Sequence, residues 1–366
     1  MEASLPRDEP VQLIDADGTA HDDPEFPLPD GDTLLRAYRA LVEGRRFNDE
    51  SSALVRQGRL AVYPSSHGQE ASQIGAALAL AEQDWLFPTY RDSVTITARG
   101  VRPAEVLTLL KGDWHSGYDP AVHHVAPQAT PLATQLLHAV GFAQAAQHRH
   151  QDAVVLAMCG DGATSEGDFH EALNFAAVFR APVVFFVQNN GFAISVPLAR
   201  QTAAPSLAHK AIGYGMPGQR VDGNDAAAVL SVVGAAVERA RAGGGPSLIE
   251  AHTYRMQAHT NADDDTRYRD RAEVAAWEGR DPLIRMRAHL ASTGALDDAT
   301  AADIGAGADR MAAALRAAIT TDTAPDPENL FRQVRGIRSP QLVEQRELLL
   351  DEIRRSAQPT PAGGAR

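Results

Sequence analysis

Between Ala153 and Ser195 the chain reads as strand, tight turn, helix, strand. It carries Gly-Asp-Gly at the end of the first strand and Asn-Asn at the end of the second. Ala153–Met158 (AVVLAM) is a short apolar run of the kind a strand buried on both faces shows, and Gly160 ends it. Phe169, Ala172, Leu173, Ala176 and Phe179 recur at helical spacing. Ser165 is placed to cap that helix, and Glu166 and Asp168 lie near its positive N-terminal end. Ala181-Pro182 stops the helix, and the β-branched and aromatic run Val183–Val187 supplies the next strand. A crossover helix joins strands that run parallel, so both carboxyl ends face one edge of a sheet.

Open α/β sheets bind ligands at that edge. Asp161 and Asn190, far apart in sequence, leave adjacent strands there and can share one ion. A hard divalent cation such as Mg²⁺ takes oxygen ligands, usually one or two protein carboxylates with phosphate oxygens. Asp161 would supply charge, Asn190 its amide oxygen and Phe192 its backbone carbonyl. Gly160 and Gly162 let backbone N–H groups approach a diphosphate closely. Arg91, Gln188 and His259 are placed to complete an anion site.

Gly160-Asp161-Gly162 followed at this interval by Asn189-Asn190 resembles the motif of thiamine diphosphate-dependent enzymes. Further segments fall in the order of one such family: GQEASQIGAALAL (68–80), FPTYRD (87–92), PLATQ (131–135), RVDGND (220–225) and IEAHTYRMQAHTNADDDTRYR (249–269). Together, from about Pro10 to Arg355, the chain resembles the alpha subunit of the decarboxylating first component of 2-oxo acid dehydrogenase complexes. The resemblance implies an α/β thiamine diphosphate-binding fold, a parallel sheet flanked by helices. It also implies cofactor contacts from Tyr90, Arg91, Leu132, Gly160, Asp161, Gly162, Ala163, Gln188, Asn190, Phe192, Ile194 and His259. Asp161, Asn190 and the Phe192 carbonyl would hold Mg²⁺, and His259 would assist acyl transfer, its side chain exchanging a proton near neutral pH. In branched-chain members the segment matching PLATQ wraps a monovalent cation, which points to K⁺ at Thr130, Thr134 and Gln135. The same stretch reads equally as a polar helix N-cap ahead of an apolar helix.

The matching residues account only for the diphosphate half of such a site. The resemblance therefore implies a beta subunit carrying the other half in an α2β2 heterotetramer, and a lipoyl domain that accepts the acyl group. The implied reaction is oxidative decarboxylation of a small 2-oxo acid. PLATQ favours a branched-chain substrate of the 2-oxoisovalerate type, while GDGATSEGD and VQNN also occur in bacterial pyruvate-type subunits, which leaves pyruvate or acetoin as alternatives. Three positions depart from the family pattern: Gln188 where some members carry Arg, Gln257 where Gly is frequent, and Thr260 where animal members have a phosphorylatable Ser. A nicotinamide site would need Gly-x-Gly-x-x-Gly, and here the third glycine is misplaced while Asp161 would repel a pyrophosphate without a metal. A non-catalytic binding subunit would be expected to drop Asp161, Asn190, Arg91 and His259, which this chain keeps.

A formal net charge of −13 argues against a general affinity for nucleic acid or anionic membrane. The single cysteine, Cys159, excludes an intrachain disulfide and fits a reducing compartment, so the expected location is the cytoplasm. MEASLPRDEP lacks the pattern of a secretory signal, and no apolar run approaches a membrane span. The expected organisation is an extended N-terminal arm (1–30), a diphosphate-binding α/β domain (31–270), a helical region (271–356) and a disordered tail (357–366). Helices are expected over 131–148, 226–241, 271–278, 283–292, 298–320 and 341–356, with a further strand over 247–253.

Overall fold

The two doubly buried runs form the centre of a five-stranded parallel sheet in a computed structural model that describes residues 5–112, 116–321, 326–332, 336–337 and 339–356. The strands in chain order are β1 (Trp85–Phe87), β2 (Val155–Gly160), β3 (Val183–Asn189), the two-residue strands β4 (Phe192–Ala193) and β5 (Val196–Pro197), β6 (Gly218–Asp222) and β7 (Ser247–His252). The main sheet has the order β1-β2-β3-β7-β6, and β4 pairs with β5 in a small antiparallel hairpin. β2 begins later than the sequence suggests and continues to Gly160, because pairing starts at Val155↔Val183 and runs to Gly160↔Gln188. Asp161 and Asn190 therefore leave neighbouring strands just past their last paired residues.

Side chains alternate across β2 and β3 with period two, and both faces are covered. Leu156, Met158, Val184 and Phe186 enter one core, while Val155, Ala157, Cys159, Val183, Phe185 and Val187 enter another. The helices are α1 (Gly31–Arg56), α2 (Glu70–Leu78), α3 (Ser93–Ala98), the short α4 (Pro103–Val106), α5 (Thr108–Lys111) and α6 (Pro120–His123), then α7 (Thr134–His148), α8 (Gly167–Phe179), α9 (Ala226–Arg239), α10 (Arg271–Glu278), α11 (Pro282–Ser292), α12 (Asp298–Thr320), α13 (Asn329–Arg332) and α14 (Pro340–Ser356). Residues of α1, α2 and α9 fill the first core; α7 and α8 cover the second. None of the described helices is long and apolar enough to cross a membrane.

Two local expectations change. The helix expected from Pro131 begins at Thr134. Ser165 does not cap α8: residues Asp161–Ser165 close a 3₁₀ turn, and Glu166 is the N-cap without a side-chain cap bond. The tight turn keeps Asp161 under the cleft instead of carrying it away on a longer loop.

The N-terminal stretch is stitched to the sheet's β6 edge. Val11 pairs with Val221, its N–H donating to Arg220 O at 3.0 Å, and Leu13 and Ile14 are buried. The Asp225 carboxylate caps α9 by accepting from Ala227 and Ala228 N–H, and its other oxygen accepts from Leu13 and Ile14 N–H, both at 2.7 Å. Arg285 on α11 reaches Ile14 O at 2.9 Å and Asp222 at 2.7 Å. The chain divides into two compact units, Met1–Ile319 and Thr320–Arg366. In the second, Arg346 pairs with Glu328. The tail expected at 357–366 lies outside the described residues.

Candidate active site

A cleft of about 650 Å³ opens at the carboxyl edge of the sheet. Tyr90 and Arg91 come to it from the turn after β1, Gly160, Asp161, Gly162 and Ala163 from the end of β2, and Gln188, Asn190, Phe192 and Ile194 from β3 and the hairpin beyond it. Thr130 and Leu132 arrive from the segment before α7, and His259 from the loop after β7. All the residues named above as cofactor contacts thus line one cavity. Thr134 and Gln135 do not. Thr134 donates its hydroxyl proton to Asp168 at 2.9 Å, and Gln135 points its amide N–H at the carbonyls of Leu132 (3.1 Å) and Met158 (2.9 Å). Of the three residues assigned to K⁺, only Thr130 lines the cleft.

Asp161 is 1 % exposed, and burial pushes its carboxyl above the usual range. Its Oδ2 accepts from Gln201 Nε2 at 2.7 Å, and among the described residues it forms no ion pair. Backbone N–H groups of Asp161 and Asn190 and the charge of Arg255 also favour the carboxylate, yet burial outweighs them, and a buried carboxylate without a close cation is costly. Asn190 donates through Nδ2 to Gln69 Oε1 at 3.3 Å, and its Oδ1 accepts from Phe192 N. Asn189, by contrast, is structural: it donates to Glu250 on β7 at 2.7 Å and accepts from Gly191 N, shaping a turn in which Gly191 has φ +85°. A Cβ on Gly162 would sit 2.7 Å from Ala193 Cβ, whereas one on Gly160 would meet no protein atom within 4 Å, so Gly160 borders open space.

The arginines hold the walls. Arg91, buried, donates to Ser65 O at 2.9 Å, to His259 O at 3.1 Å and to His259 Nδ1 at 3.0 Å. Desolvation, with the charges of Arg91 and Arg255, holds the His259 ring down at about 4. That direction favours an uncharged ring at neutral pH. The backbone N–H of His259 donates to Asp263 at 2.8 Å, and Asp263 also accepts from Tyr268 OH. Arg255 donates to Ile194 O at 2.9 Å, bracing a residue held at φ +55°, a left-handed conformation uncommon outside glycine. Gln188 lies in a buried amide network, accepting from Gln69 and Gln73 and donating to Asp92 at 2.6 Å.

Sequence reading missed Gln201, Arg200 and Lys210. The first two line the cleft. Lys210 donates to Thr164 O at 2.8 Å and Oγ1 at 3.0 Å, and Thr164 Oγ1 in turn donates to Asp161 O at 2.8 Å, so the lysine staples the turn that carries Asp161. The Gln201–Asp161 and Lys210–Thr164 contacts span 40 and 46 residues of sequence, with no spacing pattern to announce them.

A parallel sheet whose carboxyl edge bears a buried carboxylate, a facing asparagine, open glycine backbone and a buried arginine defines an α/β protein with a polar ligand cleft at the strand ends. The family model of the dehydrogenase E1 component matches residues 38–325, and the chain belongs to that family. It is 48 % identical over 350 residues, 95 % of each chain, to the 3-methyl-2-oxobutanoate dehydrogenase subunit alpha of Mycobacterium tuberculosis (strain ATCC 25618 / H37Rv). It is 42 % identical over 288 residues, 78 % of each chain, to the pyruvate dehydrogenase E1 component subunit alpha of Staphylococcus aureus (strain N315). The resemblance drawn from the GDG and NN segments holds, and the family's chemistry depends on thiamine diphosphate.

Proposed function

We propose that this chain is the alpha subunit of a 2-oxo acid dehydrogenase first component that decarboxylates branched-chain 2-oxo acids and passes the acyl group to a lipoyl carrier. The observation that carries the reading is the buried Asp161 carboxylate, without an ion pair among the described residues, set beside Asn190 at the carboxyl edge of adjacent parallel strands. Thiamine diphosphate, when bound, supplies the carbon chemistry of decarboxylation.

This chain's residues bind and orient. Asp161, Asn190 and the Phe192 carbonyl are the oxygen donors for Mg²⁺, a donor set that suits a hard cation shared with a diphosphate. Arg91 contributes fixed positive charge, and Gly160 leaves room for phosphate oxygens near the backbone, while Gly162 lets Ala193 of the hairpin pack close. His259, neutral and carrying its proton on Nε2, is the residue for hydrogen-bond and proton assistance to acyl transfer. The apolar side chains of Val62, Pro64, Leu110 and Leu132 line the same cleft and favour a branched aliphatic substituent. We place the aminopyrimidine half of the site on a beta subunit in an α2β2 assembly, and the enzyme in the cytoplasm, where the lone buried Cys159 stays a thiol.

The relative that acts on 3-methyl-2-oxobutanoate is matched over more of the chain, and at higher identity, than the pyruvate dehydrogenase relatives. The deciding experiment reconstitutes the chain with its beta partner and compares kcat/KM for 2-oxoisovalerate, 2-oxo-4-methylvalerate and pyruvate. A preference for the branched acids is expected. Preference for pyruvate overturns the substrate, and full turnover by the chain without a partner overturns the split site.

A further inference from the structure

We propose that Gln201 is a positioning residue of the cation site, orienting Asp161 from outside the ligand shell and taking a water of the cation's hydration on its own oxygen. The inference rests on the reading of the cleft given above. Gln201 lies just past the β4–β5 hairpin and lines the cleft. Its Nε2 donates to Asp161 Oδ2 at 2.7 Å and to Val196 O at 3.0 Å. A carboxylate and a carbonyl can only accept, so the nitrogen must occupy that side of the amide and the orientation is fixed. The oxygen then faces the other way, and Gln201 Oε1 is buried with no hydrogen-bond partner among the described residues.

Two consequences follow from this geometry. The amide N–H of Gln201 on Oδ2 restrains rotation of the carboxylate and so fixes how it faces the cleft. Oε1 is an acceptor that no described residue satisfies, and a water bound to a cation is a strong donor. Mg²⁺ usually retains several waters, which suits such an arrangement. Carboxylates that ligate metals are themselves hydrogen-bonded, and these outer partners set metal affinity. The bond to Val196 O also ties the hairpin that carries the Phe192 carbonyl to Asp161, joining two proposed ligands through one side chain.

The test titrates Mn²⁺ into the complex with the beta subunit in the presence of thiamine diphosphate, reading free Mn²⁺ by electron paramagnetic resonance. Gln201→Met, which keeps the volume and removes both polar atoms, is expected to weaken Mn²⁺ by about 10- to 100-fold. At saturating Mn²⁺ its thiamine diphosphate affinity and melting temperature should match the parent protein. Gln201→Glu restores an oxygen and adds charge, and is expected to bind Mn²⁺ more tightly than Gln201→Met. If both variants bind Mn²⁺ like the parent protein, the proposal is wrong while the site reading stands. Faster tryptic cutting after Arg200, with cofactor affinity still low at saturating Mn²⁺, would make Gln201 a loop clamp and also overturn it. Failure of the parent complex to bind Mn²⁺ with thiamine diphosphate overturns the cation reading itself.

Discussion

Arg91 donates to Nδ1 of His259 at 3.0 Å, and because a guanidinium cannot accept, the neutral imidazole carries its proton on Nε2. The same arginine supplies the positive charge that opposes protonation of the ring. One contact thus selects both the tautomer and the charge state of the residue proposed to assist acyl transfer.

The His259 resonances in the cofactor-free protein should stay those of a neutral ring as pH falls from 8 through the ordinary value of 6.5, with a midpoint near about 4. The folded value lies below the unfolded one, so between these limits the unfolded chain binds a proton that the folded chain refuses. The contribution of His259 to stability is complete above the ordinary value and is lost as pH falls towards the folded one. Arg91→Gln should move the midpoint upward. A wild-type midpoint near the ordinary value, by NMR titration, would contradict the geometry.

Asp161→Asn removes a buried charge while keeping the shape and an acceptor for Gln201. The cofactor-free variant is expected to gain about 0.5–2 kcal/mol, the usual return for relieving a strained functional group, and to lose Mg²⁺-dependent binding of thiamine diphosphate. Melting curves and calorimetry on the complex with beta subunit check both halves. Unchanged affinity at limiting Mg²⁺ would sink the metal assignment.

Lys210→Met cuts the two bonds to Thr164 and leaves its carbonyl and hydroxyl without that donor. Hydrogen bonds from charged donors contribute about 1.5–3 kcal/mol, so a loss near the lower end is expected at this half-buried site. Cofactor affinity should fall severalfold, because the loosened turn carries Asp161. A variant that melts earlier but binds the cofactor normally would confine Lys210 to stability.

Asp225→Ala is expected to be the most damaging of these changes. It removes the cap of α9 and leaves the Leu13 and Ile14 N–H groups buried without an acceptor, at a cost of about 3 kcal/mol or more. Asp225→Asn retains one acceptor oxygen and should lose less. Chemical denaturation of the two variants tests the order.

The strand-turn-helix-strand unit was legible because its apolar runs are continuous, its helix is periodic and Ala181-Pro182 punctuates it. Its strand boundaries shifted, since pairing between strands sets where β2 begins. α1 was not read as a helix: Asn48, Glu50 and Ser51 are buried along it and blur the apolar stripe. Asn48 accepts from Tyr63 OH at 2.6 Å and Glu50 pairs with Arg46 and Arg316, partners that sequence periodicity does not reveal. The site divides the same way. Residues embedded in motifs, such as Asp161, Asn190 and Arg91, were found, whereas Gln201 and Lys210 act through tertiary contacts and stand in unremarkable sequence. Ser165 misled because a 3₁₀ turn consumed the position that a cap would have taken.

Cys159 ends on the same strand as Gly160, fully buried and next but one to Asp161, and it is the only thiol in the chain. Burial raises its pKa as well, so little thiolate exists in the closed state. An alkylating reagent can therefore reach the sulfur only while the core that α7 and α8 cover is open. Its labelling rate at a single atom is a built-in clock for that opening, read without any introduced probe.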